Sequence, residues 1–281
     1  MRTRQRGIAI VLAMGVVALA ALTASAMIVA QSTWSRQIEL TAGRAQAQFL
    51  LQGGLDWARA LLSDDYRAGT VDHLGEPWAM RLPPIAVENG NLVGHIEDQQ
   101  ARFNLNNLLK NGRLNPAQLA AFRRLLPILA MPPTLADSLV EWFEAGGRPL
   151  VDVAELALVP GFDDGVRARL RLFVTALPRY TAVNPNTATP EVLAAVIEGL
   201  GLDEARDLIA RRERVYFRSA AEFFSQLPKG LTVPTENIAV NSDYFLATLR
   251  VTIGGAQARG VALLARGKTG GWPAIVWRKY P

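Results

Sequence analysis

Cysteine is missing from this chain of 281 residues, which rules out disulfide staples and thiolate chemistry alike. Histidine is scarce. His73 and His95 are the full complement, and their spacing offers no His-x-x-x-His metal pair; a nucleophile elbow and a phosphate-binding glycine loop are absent too. Catalysis is therefore not expected. Proline does not occur before Pro77, and no charged side chain stands between Ile8 and Ser35.

The charge-free stretch is long enough to cross the hydrocarbon core as a helix, which takes about 18 or more apolar residues. Arg2, Arg4 and Arg6 precede it and would hold the N-terminus in the cytoplasm. Ala24-Ser25-Ala26 has the look of a signal-peptidase site, but the apolar character continues through Met27-Ile28-Val29-Ala30, which suits a retained anchor better. From Gln31 to Leu62 the pattern turns amphipathic, with Ile38, Ala42, Ala45, Phe49 and Leu55 spaced for one buried helical face. A single helix over residues 8–62 would reach roughly 80 Å at 1.5 Å per residue. Gly43, Gly53 and Gly54 weaken it by up to ~1 kcal/mol each, so a membrane helix followed by a separate soluble one is the alternative.

Beyond this rod the chain is mixed. Ile85-Ala86-Val87 and Leu92 to Ile96 flank Asn89-Gly90, a dipeptide suited to a tight hairpin. Near the C-terminus, Phe245, Ala247, Leu249, Val251 and Ile253 alternate with Leu246, Thr248, Arg250 and Thr252, giving a strand with one apolar face. Gly254-Gly255 marks a turn, and further strands are expected over Gly260 to Ala265 and Ala274 to Lys279. Three antiparallel strands and the early hairpin would pack on the soluble half of the long helix.

Between these parts, residues 114–227 read as short capped helices without strand-like alternation. Asn115-Pro116 supplies an N-cap and a first-turn proline, with Leu119, Phe122, Leu126 and Leu129 inward; Asp152 with Glu155, and Ser219 with Glu222, have capping-box spacing. Two pieces of this span are alike. The first leads from Asp152 through Pro160-Gly161-Phe162-Asp163-Asp164 to a helix over Arg167 to Leu177. The second runs from Val183-Asn184-Pro185 through Gly199-Leu200-Gly201 to Ala205 and Arg212. Both resemble helix-hairpin-helix units, related to SAM-like domains, with turns at Gly161, Gly199 and Gly201.

That resemblance raises the possibility of a membrane-anchored DNA receptor of the competence type. Asp203, Glu204 and Asp207 after the second turn, and Asp163-Asp164 in the first, argue against it, because carboxylates at a helix N-terminus satisfy the donors that a phosphate would use. Arg211, Arg212 and Arg214 would complement a helix C-terminus instead.

The Arg6-Gly7 junction followed at once by Ile8-Ala9-Ile10-Val11-Leu12 resembles the class III signal of type IV pilin-like proteins. The resemblance implies that a prepilin peptidase cuts between Gly7 and Ile8, and that Ile8 becomes a methylated N-terminus. Most such subunits carry glutamate at the fifth mature position, which here is Leu12. A carboxylate near mid-membrane costs roughly 2.5–3.5 kcal/mol on insertion scales, and its partner in filaments is thought to be the amino terminus of the subunit above. A subunit at the tip needs none. This absence, with the segment from Trp78 to Leu108, resembles the K minor pseudopilins of type II secretion systems, although glycine is expected there at Ala101.

The family implies an α+β, pilin-like fold with a large inserted all-helical domain: leader 1–7, helix 8–62, pilin-like parts 63–103 and 236–281, insert 104–235. It further implies an inner-membrane, single-pass protein with a periplasmic head that catalyses nothing and helps to prime and limit filament assembly. The expected partners are minor pseudopilins I, J and H, the prepilin peptidase, secreted substrates and the outer-membrane secretin, with no nucleic acid. Without the leader arginines the formal charge of +5 falls to about +2, too small to argue for a polyanion. Calcium is the one cofactor considered, at Asp64-Asp65 or Asp163-Asp164, and no metal residue is assigned.

Overall fold

The computed structural model describes residues 3–81, 83–267 and 271–280, with side chains from residue 10 onward. It opens with one unbroken helix, α1 (Thr3–Ala68), whose 66 residues give a rod of roughly 100 Å. The chain then forms β1 (Ile85–Val87), β2 (Gly90–Asp98), the two-residue strands β3 (Phe103–Asn104), β4 (Leu109–Lys110) and β5 (Arg113–Leu114), and α2 (Pro116–Ile128) and α3 (Thr134–Glu144). After a 3-10 turn at Val153–Leu158 come α4 (Asp164–Leu170), β6 (Val174–Thr175), α5 (Pro190–Val196), α6 (Leu202–Arg212) and α7 (Ala220–Ser225). Three long strands close it: β7 (Tyr244–Ile253), β8 (Ala256–Ala265) and β9 (Ala274–Lys279).

β1, β2, β7, β8 and β9 lie in that order in one antiparallel sheet. The alternation expected in β7 holds: Phe245, Ala247, Leu249, Val251 and Ile253 are all buried, and they share a core with Leu51, Leu55 and Leu62 of α1. The expected turn at Gly254-Gly255 has positive φ at both residues, the geometry that two-residue hairpins prefer. β8 starts at Ala256, four residues before its expected start, and pairs with β7 along the whole length of both.

The buried face of α1 differs from the expected one. Phe49 is 79% exposed and Ile38 54%, and Ala42 and Ala45 are exposed as well; of the five expected residues only Leu55 is buried. The sheet instead meets Gly43, Ala47, Leu51, Gly54, Ala58 and Leu62. A Cβ at Gly43 would lie 3.3 Å from the Ala256 Cβ, and one at Gly54 3.3 Å from Leu249 Cδ1. Small residues on this face let the two backbones approach, while Leu51, Leu55 and Leu62 fill the core between them. Phe49 stands two positions from Ala47 and from Leu51, about 200° around the helix, and so points away.

The early hairpin also differs in detail. Its loop is Glu88-Asn89, with φ 58° at Asn89, and Gly90 is already a strand residue paired with both Val87 and Ile253. Gly90 is required for another reason: a Cβ there would lie 1.8 Å from the Thr252 carbonyl oxygen.

β2 and β7 are neighbours whose ends meet at Asp98 and Phe245, so everything from Gln99 to Asp243 is an excursion from one end of the sheet. This excursion has its own core, built around Phe122, Leu125, Leu139, Leu156, Leu193 and Phe223. Asn115 caps α2 through the Gln118 N–H, with Pro116 at its first position. The excursion is not purely helical. β3 pairs in parallel with β6, and β4 with β5 around Asn111-Gly112. Two-residue strands are too short to show alternation, which is why the sequence pattern concealed them. For the same reason the helix expected over Arg167 to Leu177 ends at Leu170 and gives way to β6.

Candidate assembly surface and the joint behind it

α1 carries the exposed apolar surface. From Ile10 onward it is long and apolar enough to cross a membrane, by length and composition. Leu12 is 64% exposed on it. The backbone of Gly7 and Ile8 lies in the first turns of α1, and their side chains are outside the described residues. Trp34, Ile38 and Phe49 extend the exposed surface toward the head, where α1 turns its small-residue face to the sheet.

The two hairpin-like turns are separate. Gly161 has φ 85° and abuts Leu135 of α3; Gly199 has φ 84° and abuts Leu231. Only the left-handed backbone region accommodates these turns, and glycine enters it without strain. Gly201 differs, with an ordinary φ of −71° at the N-cap of α6. Its N–H donates to Glu204 Oε2 at 2.8 Å, and Asp163 Oδ1 accepts from the Val166 N–H at 2.8 Å. A backbone donor of each turn is thus taken by a carboxylate of the same turn. Of the nearby arginines, Arg212 donates inward to the Pro185 and Ala188 carbonyls at 2.6 and 2.5 Å. Burial pushes its pKa down to about 10.

The aspartate pairs considered for calcium are engaged by their own chain. Asp64 pairs with Arg67 on the surface and Asp65 with Arg266 in the interior; Asp163 caps α4, and Asp164 pairs with Arg167. Asp65, Asp72 and Glu76 do bring carboxylate oxygens within 4.8 Å of one another, but Arg266 sits on two of the three.

That arginine belongs to a buried joint between the two cores. Its Nη1 donates to Asp65 Oδ2 at 2.9 Å, and its Nη2 to Asp72 and to the Ser242 carbonyl. Asp72 also accepts from the Ser242 N–H at 2.6 Å. Asp98, at the last position of β2, accepts from the hydroxyls of Thr187 and Ser242 at 2.5 and 2.7 Å, from the Gln100 N–H at 2.7 Å and from Asn184 Nδ2 at 3.2 Å. Asn184 donates to the Asp72 carbonyl as well, so one amide joins the segment after α1, the end of β2 and the helical core.

Burial away from water disfavours charge on several carboxyls of the joint. Burial pushes the Asp98 carboxyl up to about 6, against the hydrogen bonds it accepts from Thr187 and Ser242. Asp65 rises to about 7 through burial and the charges of Glu76 and Asp72, opposed by Arg266. Burial raises Glu76 too, and lowers His73, whose ring stacks on Tyr216 with centroids 3.9 Å apart. Sequence reasoning missed this joint. Its members are scattered from Asp65 to Arg266, and the one local hint is the Asn184-Pro185-Asn186 run.

Two family models match the chain, both described as "Type II secretion system (T2SS), protein K", over residues 101–179 and 183–241. A type II secretion system protein K of Pseudomonas aeruginosa is 32% identical, over 96% of this chain and 91% of that protein. One of Klebsiella pneumoniae is 33% identical over 100% and 98%. The chain belongs to the type II secretion system protein K family. Its fold is shared with a solved chain of the GspK-GspI-GspJ complex of enterotoxigenic Escherichia coli, with TM-score 0.68, 20% identity, and coverage of 87% of this chain and 99% of that one.

Both regions matched by the protein K models lie inside the excursion between β2 and β7. The gap between them, at residues 180–182, adjoins residues that enter the joint. Thr181 is held by Asn107, the Ala182 carbonyl accepts from Gln100 Nε2, and the Asn184 N–H donates to the Gln100 carbonyl. In this member of the family the two matched regions therefore meet at the strand end that launches the excursion.

Proposed function

We propose that this protein K works by placement, as the tip subunit of a pseudopilus that exports folded proteins from the periplasm. The observation that carries the reading is Leu12, an exposed apolar residue of α1 where pilin-like subunits that stack beneath another keep a glutamate. In this reading prepilin peptidase cuts after Gly7, Ile8 is methylated, and α1 leaves the inner membrane to bundle with the helices of minor pseudopilins I, J and H. Residues 63–103 and 236–281 form the pilin-like body. Residues 104–235 form an inserted helix-hairpin-helix, SAM-like domain that caps the filament in the periplasm, primes and limits its growth, and meets secreted substrate and the secretin.

The fold shared with a chain of a GspK-GspI-GspJ complex supports I and J as partners, and the carboxylates already seated at the Gly161 and Gly201 turns weigh against a DNA receptor. Mass spectrometry of the protein recovered from membranes tests the reading. The expected N-terminus is methylated Ile8, and Gly7→Leu should leave an uncleaved chain and stop secretion. Recovery of the intact leader from secretion-competent cells would overturn it.

A further inference from the structure

The face of the sheet turned away from α1 is only partly covered. At one end Tyr244 and Leu263 pack on Leu177 of the helical core. Beside this contact lies a cleft of about 410 Å³, walled on one side by the sheet and on the other by residues near the 3-10 turn and β6. A volume of that order is typical of sites that hold a small ligand or a few side chains.

Two of its lining residues carry a buried hydrogen-bond donor with no partner among the described residues: Gln99 Nε2 and Trp277 Nε1. Gln99 is 4% exposed, and its amide orientation is determined by its neighbours. Its Oε1 accepts from Arg102 Nη1 at 3.1 Å and from the Thr175 hydroxyl at 3.2 Å. A guanidinium can only donate, so the carbonyl must face Arg102 and the NH2 must face elsewhere. Trp277 stands opposite Leu263 in the sheet, and its indole nitrogen likewise can only donate. Buried donors are almost always paired in folded proteins, and two orphans in one cleft call for acceptors from outside the chain.

Charge points the same way. Both carboxylates of the cleft are already paired, Glu97 with Arg102 and Asp152 with Lys279. Arg171 and Arg259 are exposed and, among the described residues, have no ion-pair partner. Guanidinium favours planar carboxylate. Val153, Leu172 and Val261 give the same cleft an apolar side, which a bare inorganic anion would leave unused.

We propose that the cleft between the outer sheet face and the helical core binds a polypeptide segment that presents a carboxylate side chain next to an aliphatic one. The carboxylate and backbone carbonyls meet Arg171, Arg259 and the free N–H groups of Gln99 and Trp277, while the aliphatic side chain lies on Leu172 and Val261.

The test uses the full chain in detergent micelles with 15N-labelled tryptophan, titrated with a capped tetrapeptide of alternating leucine and glutamate. The Trp277 indole N–H resonance, assigned by its loss in Trp277→Phe, should shift saturably while the other five tryptophans stay put. The peptide with glutamine in place of glutamate should not bind. Arg171→Gln with Arg259→Gln, both on the surface, should weaken binding by about tenfold or more and leave the remaining indole resonances unchanged. A shift of equal size with the glutamine peptide, no shift at millimolar peptide, or unaltered affinity in the double variant would overturn the proposal. Succinate or inorganic phosphate binding as tightly as the peptide would also overturn it, since the occupant would then be a small anion.

Discussion

Arg266 and Asp72 form an ion pair at 2.5 Å with both side chains 2% exposed, although 194 positions separate them in the chain. Arg266 follows the last residue of β8, and Asp72 follows α1. Their contact ties the sheet to the segment that leads away from the long helix, and the Ser242 carbonyl and N–H share the same two side chains.

Removing one member leaves an uncompensated buried charge. Arg266→Met should therefore lower stability by about 3–5 kcal/mol, read as a reduced urea midpoint for the full chain in detergent. Arg67→Met, which breaks the exposed pair with Asp64, should cost less than about 1 kcal/mol. Equal effects would mean that the joint contributes nothing special.

The raised carboxyl pKa values set a pH dependence. For Asp98, about 6 when folded against an ordinary value near 4, the folded state holds the proton more tightly than the unfolded state does. Its contribution therefore favours folding below the unfolded pKa and is lost as pH rises through about 6; Asp65 extends the same trend to about 7. Melting temperatures at pH 5 and 7.5 should show wild type losing more on alkalinisation than Asp98→Asn does. The slope is the readout, because the variant also disturbs the four hydrogen bonds and lowers the baseline at both pH values.

Glycines of α1 should split into two kinds. Gly53 has nothing within 4 Å of an added Cβ, so Gly53→Ala should stabilise the helix by up to ~1 kcal/mol. Gly43→Leu must push against Ala256 and the Ile253 carbonyl and should destabilise by about 1–3 kcal/mol. Thermal melts of the two variants give the comparison, and stabilisation by both would contradict the close approach of helix and sheet.

Backbone donors held by Glu204 and Asp163 leave the hairpin turns poorly suited to phosphate. A gel shift of the full chain in detergent against duplex DNA at low salt should show no tight complex. Binding that falls steeply with added salt would indicate a DNA-binding face after all.

Helices and long strands were legible in the sequence because each has a local cause. Asn115-Pro116 starts α2, Gly254-Gly255 turns β7 into β8, and alternation along Phe245 to Ile253 marks one buried face. The face of α1 differs from the expected one because spacing alone turns Ile38 and Phe49 inward, whereas the sheet meets the stripe where Gly43, Ala47, Gly54 and Ala58 permit close approach and Leu51, Leu55 and Leu62 fill the core. The short ladder of β3 and β6 carries no periodic signal at all.

The membrane-length apolar run and the pilin-like resemblance rest on contiguous residues: a charge-free stretch behind three arginines, an Arg6-Gly7 junction and a leucine at position 12 depend on nothing distant. The joint and the cleft exist only in the folded molecule. Asp72, Asp98, Asn184 and Arg266 become a network when the excursion returns beside β2, and Gln99 shares a cleft with Trp277 when the helical core settles on the outer sheet face. Hydrogen bonds and charge pairs act over a few ångströms, so partners far apart in sequence leave no local pattern, while a membrane anchor is a property of one unbroken stretch.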